Sequence, residues 1–269
     1  MVHTSVWWNR IESPEQRRRA LLKAAAGEEN CVVEFARTRL GFEPDERQKT
    51  VLESAGSRGI LNCTRQWGKS TVAAVKAIHR AHSAPGSLVL VASPSSRQSG
   101  EFLSKAAALM GRAGMPARGD GYNELSLKFP NGSRIIGLPG VEGTVRGFSA
   151  VSLLLIDEAS RVEDAMYRAL RPMLAVGAGD LWLMSTPNRK QGFFYEIWDH
   201  GGPEWVRVRA PATECPRISE KFLAEELAEH GEEGFRREYL CEFVESGLAV
   251  FDRELLERAM DDGVKQLLL

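Results

Sequence analysis

What the 269-residue chain lacks narrows its class first. No uncharged apolar run approaches the ~18 residues that a membrane-spanning helix needs. The N-terminal segment carries Arg10, Glu12, Glu15 and Arg17 to Arg19, with no apolar stretch of the kind a secretory signal requires. Cysteine is scarce. Cys31, Cys63, Cys215 and Cys241 stand far apart with no Cys-x-x-Cys pair, which argues against a disulfide framework and against a zinc finger. Internal repeats and low-complexity tracts are missing too. These absences predict a soluble, cytoplasmic protein.

Net charge is nearly absent at −1, but the balance hides a division. Residues 1–213 hold 28 Lys and Arg against 21 Asp and Glu, whereas residues 214–269 hold 7 against 15. A basic body with an acidic C-terminal part is compatible with nucleic-acid binding on one face. A solvated helix face explains Glu225, Glu226, Glu229, Glu232 and Glu233 more simply than an acidic recognition tail does.

With 43% hydrophobic and 26% charged residues, the chain has an ordinary globular balance and room for one large core. Residues 14–40 read as helical. From there strands and helices alternate. Gly59–Cys63 is a short apolar strand, followed by a loop and a helix from about Ser70 to His82. Ser87–Ser93 and Val151–Ile156 are continuous apolar strands of the kind buried on both faces of a parallel sheet, and Leu181–Ser185 is another. A helix is expected over Gln98–Arg112. Pro130-Asn131-Gly132-Ser133 joins Leu125–Phe129 to Arg134–Leu138 as a hairpin. Trp205–Arg209 alternates like an edge strand. After Pro216 the pattern is helical, over Ser219–His230, Glu233–Glu245 and Arg253–Met260, and residues 264–269 read as the opening of a strand. This order predicts an α/β domain with a mainly parallel sheet.

The chemistry centres on Thr64-Arg65-Gln66-Trp67-Gly68-Lys69-Ser70-Thr71, set between a strand and a helix. A bound triphosphate needs inward backbone N–H groups, a helix N-terminus, a long cation and a hydroxyl for Mg²⁺. Gly68 allows close backbone approach, Lys69 can reach the β- and γ-oxygens, and Ser70 offers its hydroxyl to the metal. The general GxxxxGK[ST] pattern wants glycine where this chain has Cys63. The second element is Leu153-Leu154-Leu155-Ile156-Asp157-Glu158, an apolar strand delivering two acids to the sheet edge. Asp157 would hold Mg²⁺ through water and Glu158 would polarise the attacking water. Alone, such a pair is equally a helix cap. A third strand ends in Ser185-Thr186-Pro187-Asn188, whose small hydroxyls could sense hydrolysis and pass it on. Gln48, some 20 residues before the loop, could read adenine with its amide.

Taken in order, TRQWGKST with its extra Arg65, VRG, LLLIDEAS, STP and the upstream Gln48 resemble the ATPase domain of viral terminase large subunits. The resemblance runs from about Phe42 to Val244, and Arg236-Arg237-Glu238-Tyr239 with Glu242-Phe243 resembles the segment that closes such domains. The missing first glycine is typical of that family. The resemblance implies a P-loop, additional-strand, RecA-like ATPase with a mainly parallel central sheet flanked by helices, with helical N-terminal and C-terminal extensions. The implied divisions are an extension at 1–41, an ATPase core at 42–213 and a closing segment at 214–269 that leads towards a nuclease domain absent from this chain. It implies ATP and Mg²⁺ as ligands, with Glu158, Lys69, Arg65 and Arg146 in catalysis. Thr64, Arg65, Gln66, Trp67, Gly68, Lys69, Ser70, Thr71, Gln48 and Asp157 would bind the nucleotide, Ser70 and Asp157 the metal, and Ser185 and Thr186 would couple hydrolysis to movement. Arg146, in Gly143-Thr144-Val145-Arg146-Gly147, would reach a neighbouring subunit's ATP in a homo-oligomeric ring. Implied partners are double-stranded DNA, the procapsid's portal protein and the small terminase subunit, in the host bacterial cytoplasm and without a membrane.

Two other readings compete. A superfamily 2-like helicase core would need a second RecA-like lobe, and only ~55 mostly helical residues follow the last strand, too few for one. A nucleotide-gated DNA-binding module without turnover would have no use for Glu158. Backbone-phosphate contacts are expected on the basic body, with Arg97, Lys105, Arg112, Arg118, Lys128 and Arg134 as candidates. Trp7-Trp8 could mark a partner surface, although a place in the core is the simpler expectation.

Overall fold

A computed structural model describes residues 31–54, 56–138 and 147–244. Their strands are β1 (Arg58–Cys63), β2 (Leu88–Ala92), β3 (Ser126–Lys128), β4 (Arg134–Leu138), β5 (Leu153–Asp157), β6 (Asp180–Ser185) and β7 (Trp205–Ala210). All belong to one sheet in the order β3-β4-β2-β5-β6-β1-β7. Every pairing is parallel except the β3–β4 hairpin, where Leu127 faces Ile135. The described residues therefore hold one lobe, with no second sheet of the kind a helicase core needs.

The central strands are apolar throughout because both faces of the sheet are covered. Alternation along β2 and β5 sends Val89, Val91, Leu153 and Leu155 into one layer and Leu88, Leu90, Ala92, Leu154 and Ile156 into the other. The first layer packs under α1 (Val32–Thr38), α2 (Glu46–Glu53), α3 (Lys69–Ser83) and α4 (Ser96–Arg112). The second packs under α5 (Asp164–Leu170) and α6 (Gly192–His200), which contribute Met166, Leu170, Phe193 and Phe194. α7 (Glu220–Glu238) joins a small third cluster around Ala212, Leu223 and Tyr239.

The strands, the hairpin and the helices after β1 and β2 fall where the sequence places them. β7 lies at the sheet edge, as its alternation suggests. Three helices, α2, α5 and α6, have no sequence assignment to compare. The expected pair of helices after Pro216 is present within α7, whose two helical stretches are separated at Gly231, with a non-helical φ of 68° and ψ of 175°. The second stops at Glu238, well before Glu245, because Cys241 takes a left-handed φ of 57° that no helix accepts. Of the helix expected over 14–40, Val32–Thr38 is described and helical. Trp7-Trp8, the helix expected at 253–260 and the strand-like end at 264–269 lie outside the described residues. No described helix is long and apolar enough to cross a membrane.

The segment following α7 turns back onto the sheet. Asn62 Nδ2 donates to the Cys241 carbonyl at 3.0 Å, Ala212 N–H to the Tyr239 carbonyl at 2.7 Å, and Val244 N–H to the Asn188 carbonyl at 3.1 Å. The closing segment is thus stitched to the C-terminal edge of the strands, the edge where parallel sheets bind ligands.

Candidate functional site

β1 stays extended through Cys63, which pairs with Ala210 of β7. The residue that departs from the general phosphate-loop pattern is therefore a strand residue with no need of a glycine backbone. Its side chain is fully buried, and burial pushes its thiol well above the ordinary range. The turn comes later. Gln66 has φ 64° and Gly68 φ 98°, and the Gly68 carbonyl accepts the Thr71 and Val72 N–H groups as α3 begins. Only glycine adopts the Gly68 conformation without strain, and a Cβ there would stand 3.0 Å from Gln48 Nε2. Lys69, Ser70 and Thr71 form the first turn of α3, whose free N–H groups and dipole favour phosphate.

Two braces hold the loop from below. The Trp67 ring is buried in the core, and the Trp67 carbonyl accepts Gln48 Nε2 at 2.9 Å and Arg217 Nη2 at 2.7 Å. Gln48 Oε1 accepts the Asp45 N–H, completing a capping box at the start of α2. Both atoms of the Gln48 amide are thus engaged within the protein, and reading adenine would require one of them to change partner. The Thr64 hydroxyl donates to the Glu238 carbonyl at 2.9 Å, so the Thr64 and Trp67 side chains face protein rather than the cleft.

β5 delivers the acids. Asp157 is buried, which raises its pKa, and Lys69 and a hydrogen bond from Ser70 oppose that rise. Its Oδ2 accepts the Ser70 hydroxyl at 3.1 Å, while Oδ1 accepts the Glu158 N–H at 3.0 Å. Glu158 has φ 52° and ψ 40°, a left-handed backbone that a non-glycine residue adopts at a cost. That turn swings its carboxylate out to Lys69 Nζ at 3.0 Å and to Arg161 Nη1 at 2.8 Å.

The charges form a continuous chain. Arg161 Nη2 stands 3.7 Å from Glu238 Oε1, and Glu238 Oε2 accepts Arg65 Nε at 2.7 Å. Lys69, Glu158, Arg161, Glu238 and Arg65 are linked in that order around an open cleft of about 580 Å³. Arg65, Gln66, Gly68, Lys69, Ser70, Thr71 and Glu158 line it, together with Gln98, Lys105 and Arg161. Arg161 and Gln98 escape sequence reasoning altogether. The one signal for Arg161 is its i+3 spacing from Glu158. Lys105, expected among the DNA contacts, also lines this cleft.

Ser160 Oγ lies 2.8 Å from Ser185 Oγ and also donates to the Thr186 carbonyl at 2.8 Å. The turn that holds Glu158 is thereby joined to the end of β6. Arg146 lies outside the described residues. Gly147, the next residue, has φ 130°, an angle that favours glycine. Of the other basic candidates, Arg97 pairs with Glu101 and Arg134 with Asp120, whereas Arg118 bridges to Lys128 through the backbone.

Comparison with known proteins agrees with this fold. Residues 60–258 match the family described as terminase large subunit, T4likevirus-type, N-terminal. A probable terminase large subunit from Enterobacteria phage P7 is 32% identical over 101 residues, a match covering 35% of this chain and a fifth (20%) of that protein. The large terminase ATPase domain of Thermus phage P74-26 superposes with a TM-score of 0.69 at 21% identity, covering 77% of this chain and 97% of that one. The large terminase of a thermophilic bacteriophage in complex with ATP-gamma-S gives 0.60 at 11% identity, covering 81% and 52%. At these identities the two structures establish the shared fold.

Proposed function

The chain belongs to the terminase large-subunit family, and from that premise we propose that it is an ATP-hydrolysing motor domain that drives double-stranded viral DNA into procapsids. The observation that carries the reading is the meeting of Lys69 with Glu158 and of Ser70 with Asp157 at one sheet edge. A phosphate loop binds nucleotide; a second acid beside it adds the means of turnover.

The roles follow from the atoms. The α3 N-terminus and Gly68 would cradle the phosphates, and Lys69 would exchange Glu158 for the β- and γ-oxygens. Glu158, released, would orient and polarise the attacking water. Arg65 leaves Glu238 to reach the γ-phosphate. Ser70 Oγ and Asp157 Oδ2 fit Mg²⁺, which is bound through one or two protein oxygens besides phosphates and waters. When bound, the metal neutralises charge on the phosphate oxygens. Gln48 braces Trp67 and would read adenine only by exchanging one of its amide partners, and the Ser160–Ser185–Thr186 contacts would carry the loss of the γ-phosphate to β6. Arg146 is proposed to act on a neighbouring subunit's ATP in a ring. Residues 42–213 would be the motor core and 214–269 its closing segment, with portal protein and small subunit as partners in the host cytoplasm.

Steady-state ATP hydrolysis with Mg²⁺, with and without linear duplex DNA, tests this. DNA should stimulate turnover without sequence preference, and its affinity should fall steeply with salt. No hydrolysis under these conditions overturns the enzyme; salt-insensitive, sequence-selective binding overturns the motor.

A further inference from the structure

β2 ends at Ala92, and the residue after it is Ser93. Its side chain is 1% exposed, yet its Oγ has no hydrogen-bond partner. Buried hydroxyls are almost always paired, because leaving one unpaired forfeits the bond it made with water. Among the described residues two other buried side-chain atoms share this condition, Asn62 Oδ1 and Trp182 Nε1. Ser93 differs from them in its neighbours.

The β2–β5 register pairs Val91 with Leu155 and Ala92 with Ile156. Carried one residue further, it sets Ser93 beside Asp157. Alternation decides the face: Val89 and Val91, like Leu153 and Leu155, point into the layer under α3, and the next residues of the same parity are Ser93 and Asp157. Ser70, in the first turn of α3, meets Asp157 Oδ2 on that face. The ends of β2 and β5 and the start of α3 thus bring three oxygen-bearing side chains to one corner. Two of them are bonded to each other, and the third is unused.

We propose that Ser93 is a positioning residue of the metal–nucleotide site, its hydroxyl holding a water of the Mg²⁺ bound by Ser70 and Asp157. This rests on the ATPase reading above. Mg²⁺ gives up its waters reluctantly and keeps several in protein sites, so groups that hold those waters help set its affinity. A serine hydroxyl suits this place because it can donate and accept at once.

The test uses the full chain and Ser93→Ala. Binding of a fluorescent, non-hydrolysable ATP analogue is titrated with Mg²⁺, and thermal unfolding is followed without nucleotide. The variant should unfold at the wild-type temperature or above, since no protein partner is lost. Its half-saturating Mg²⁺ should rise about tenfold, with binding in EDTA unchanged. An unchanged Mg²⁺ titration overturns the proposal, and so does a lowered unfolding temperature, which would make the hydroxyl a structural group. If the wild type itself shows no Mg²⁺-dependent binding, the ATPase reading fails and takes this inference with it; wild-type binding with an indifferent Ser93→Ala rejects the inference alone.

Discussion

The ammonium of Lys69 and the carboxylate of Glu158 stand 3.0 Å apart, both largely shielded from water. The group that would hold phosphate and the group that would activate water are therefore each other's counter-ions, and a triphosphate must compete with Glu158 for Lys69. Glu158→Gln removes that competitor. Nucleotide affinity should hold or improve while turnover falls by ~10²–10⁴, the usual worth of a positioned acid–base group. Affinity and steady-state rate measured on the same variant decide it. Wild-type turnover would remove Glu158 from the mechanism.

Lys69→Ala should lose nucleotide binding outright. Arg65 is tied to Glu238 and Lys105 lies on the opposite helix, so neither replaces a cation at the head of α3. Arg65→Ala should give only partial loss. Equilibrium titration with a fluorescent nucleotide reads both, and normal binding by Lys69→Ala would sink the assignment of the loop.

Arg146 can be placed in cis or in trans by mixing. An arginine on the transferring phosphoryl group is worth ~10³–10⁵ in rate. If it acts across an interface, inactive Arg146→Ala and inactive Glu158→Gln subunits should recover part of the activity when combined. A mixture shown to assemble, yet inert, would rule out action on a neighbour.

Lys76 gives a pH signature. Its Nζ donates to the Val51 carbonyl at 3.0 Å and lies 4.2 Å from the centre of the Trp182 ring. Burial pulls its pKa down to about 8, against the pull of Asp180. The unfolded chain holds this proton more tightly, so between about pH 8 and 10 the unfolded state binds more protons and stability rises with pH. Below that window both states are charged and the cost of burial is complete. Urea unfolding of wild type and Lys76→Met across pH 7–10 should show the difference between them shifting towards the wild type by about 2 kcal/mol. A flat difference would mean the lysine is not desolvated.

Restoring the general phosphate-loop pattern should do harm. Cys63→Gly removes a buried side chain and loosens a strand, at a combined cost of about 1–2 kcal/mol. Nucleotide affinity should stay within twofold, because the loop turns at Gln66 and Gly68 rather than at position 63. Chemical denaturation and nucleotide titration check the two halves. A tenfold gain in affinity would contradict the strand geometry.

The legible parts of this molecule were those written in contiguous residues. Leu88–Ala92, Leu153–Ile156 and Leu181–Met184 are unbroken apolar runs of strand length, as a doubly covered sheet requires, and Asn131-Gly132 marks its own turn. Gly68 to Ser70 and Asp157-Glu158 carry their chemistry in their spelling. α2 was invisible because it is polar, burying only Gln48, Val51 and Leu52, and is held by its Asp45–Gln48 cap. Arg161 was invisible because the left-handed turn at Glu158 aims it. Glu238 reaches Arg65 across 173 residues, a distance no local pattern spans. The chemistry could be read, while the counter-ions that restrain it depend on the fold.

The position of β1 within the sheet has a consequence for how the protein is made. The strand that launches the phosphate loop appears early in synthesis, yet its two neighbours are β6 and β7, and its register runs from Leu181 to Ser185 on one side and from Trp205 to Ala210 on the other. Thr64 then waits for Glu238. On the ribosome the nascent chain can assemble the hairpin and the β2–β5 pairing first, and Gln48 is already present to brace Trp67, but the loop lacks the flanking strands β6 and β7 and its ties to Arg217 and Glu238 until α7 has emerged. Pairings this distant in sequence are slow to form because loop-closure entropy must be overcome before they stabilise anything. A chain released short of α7 would therefore carry the whole phosphate-binding motif without the Glu238 contacts to Thr64 and Arg65 that support it.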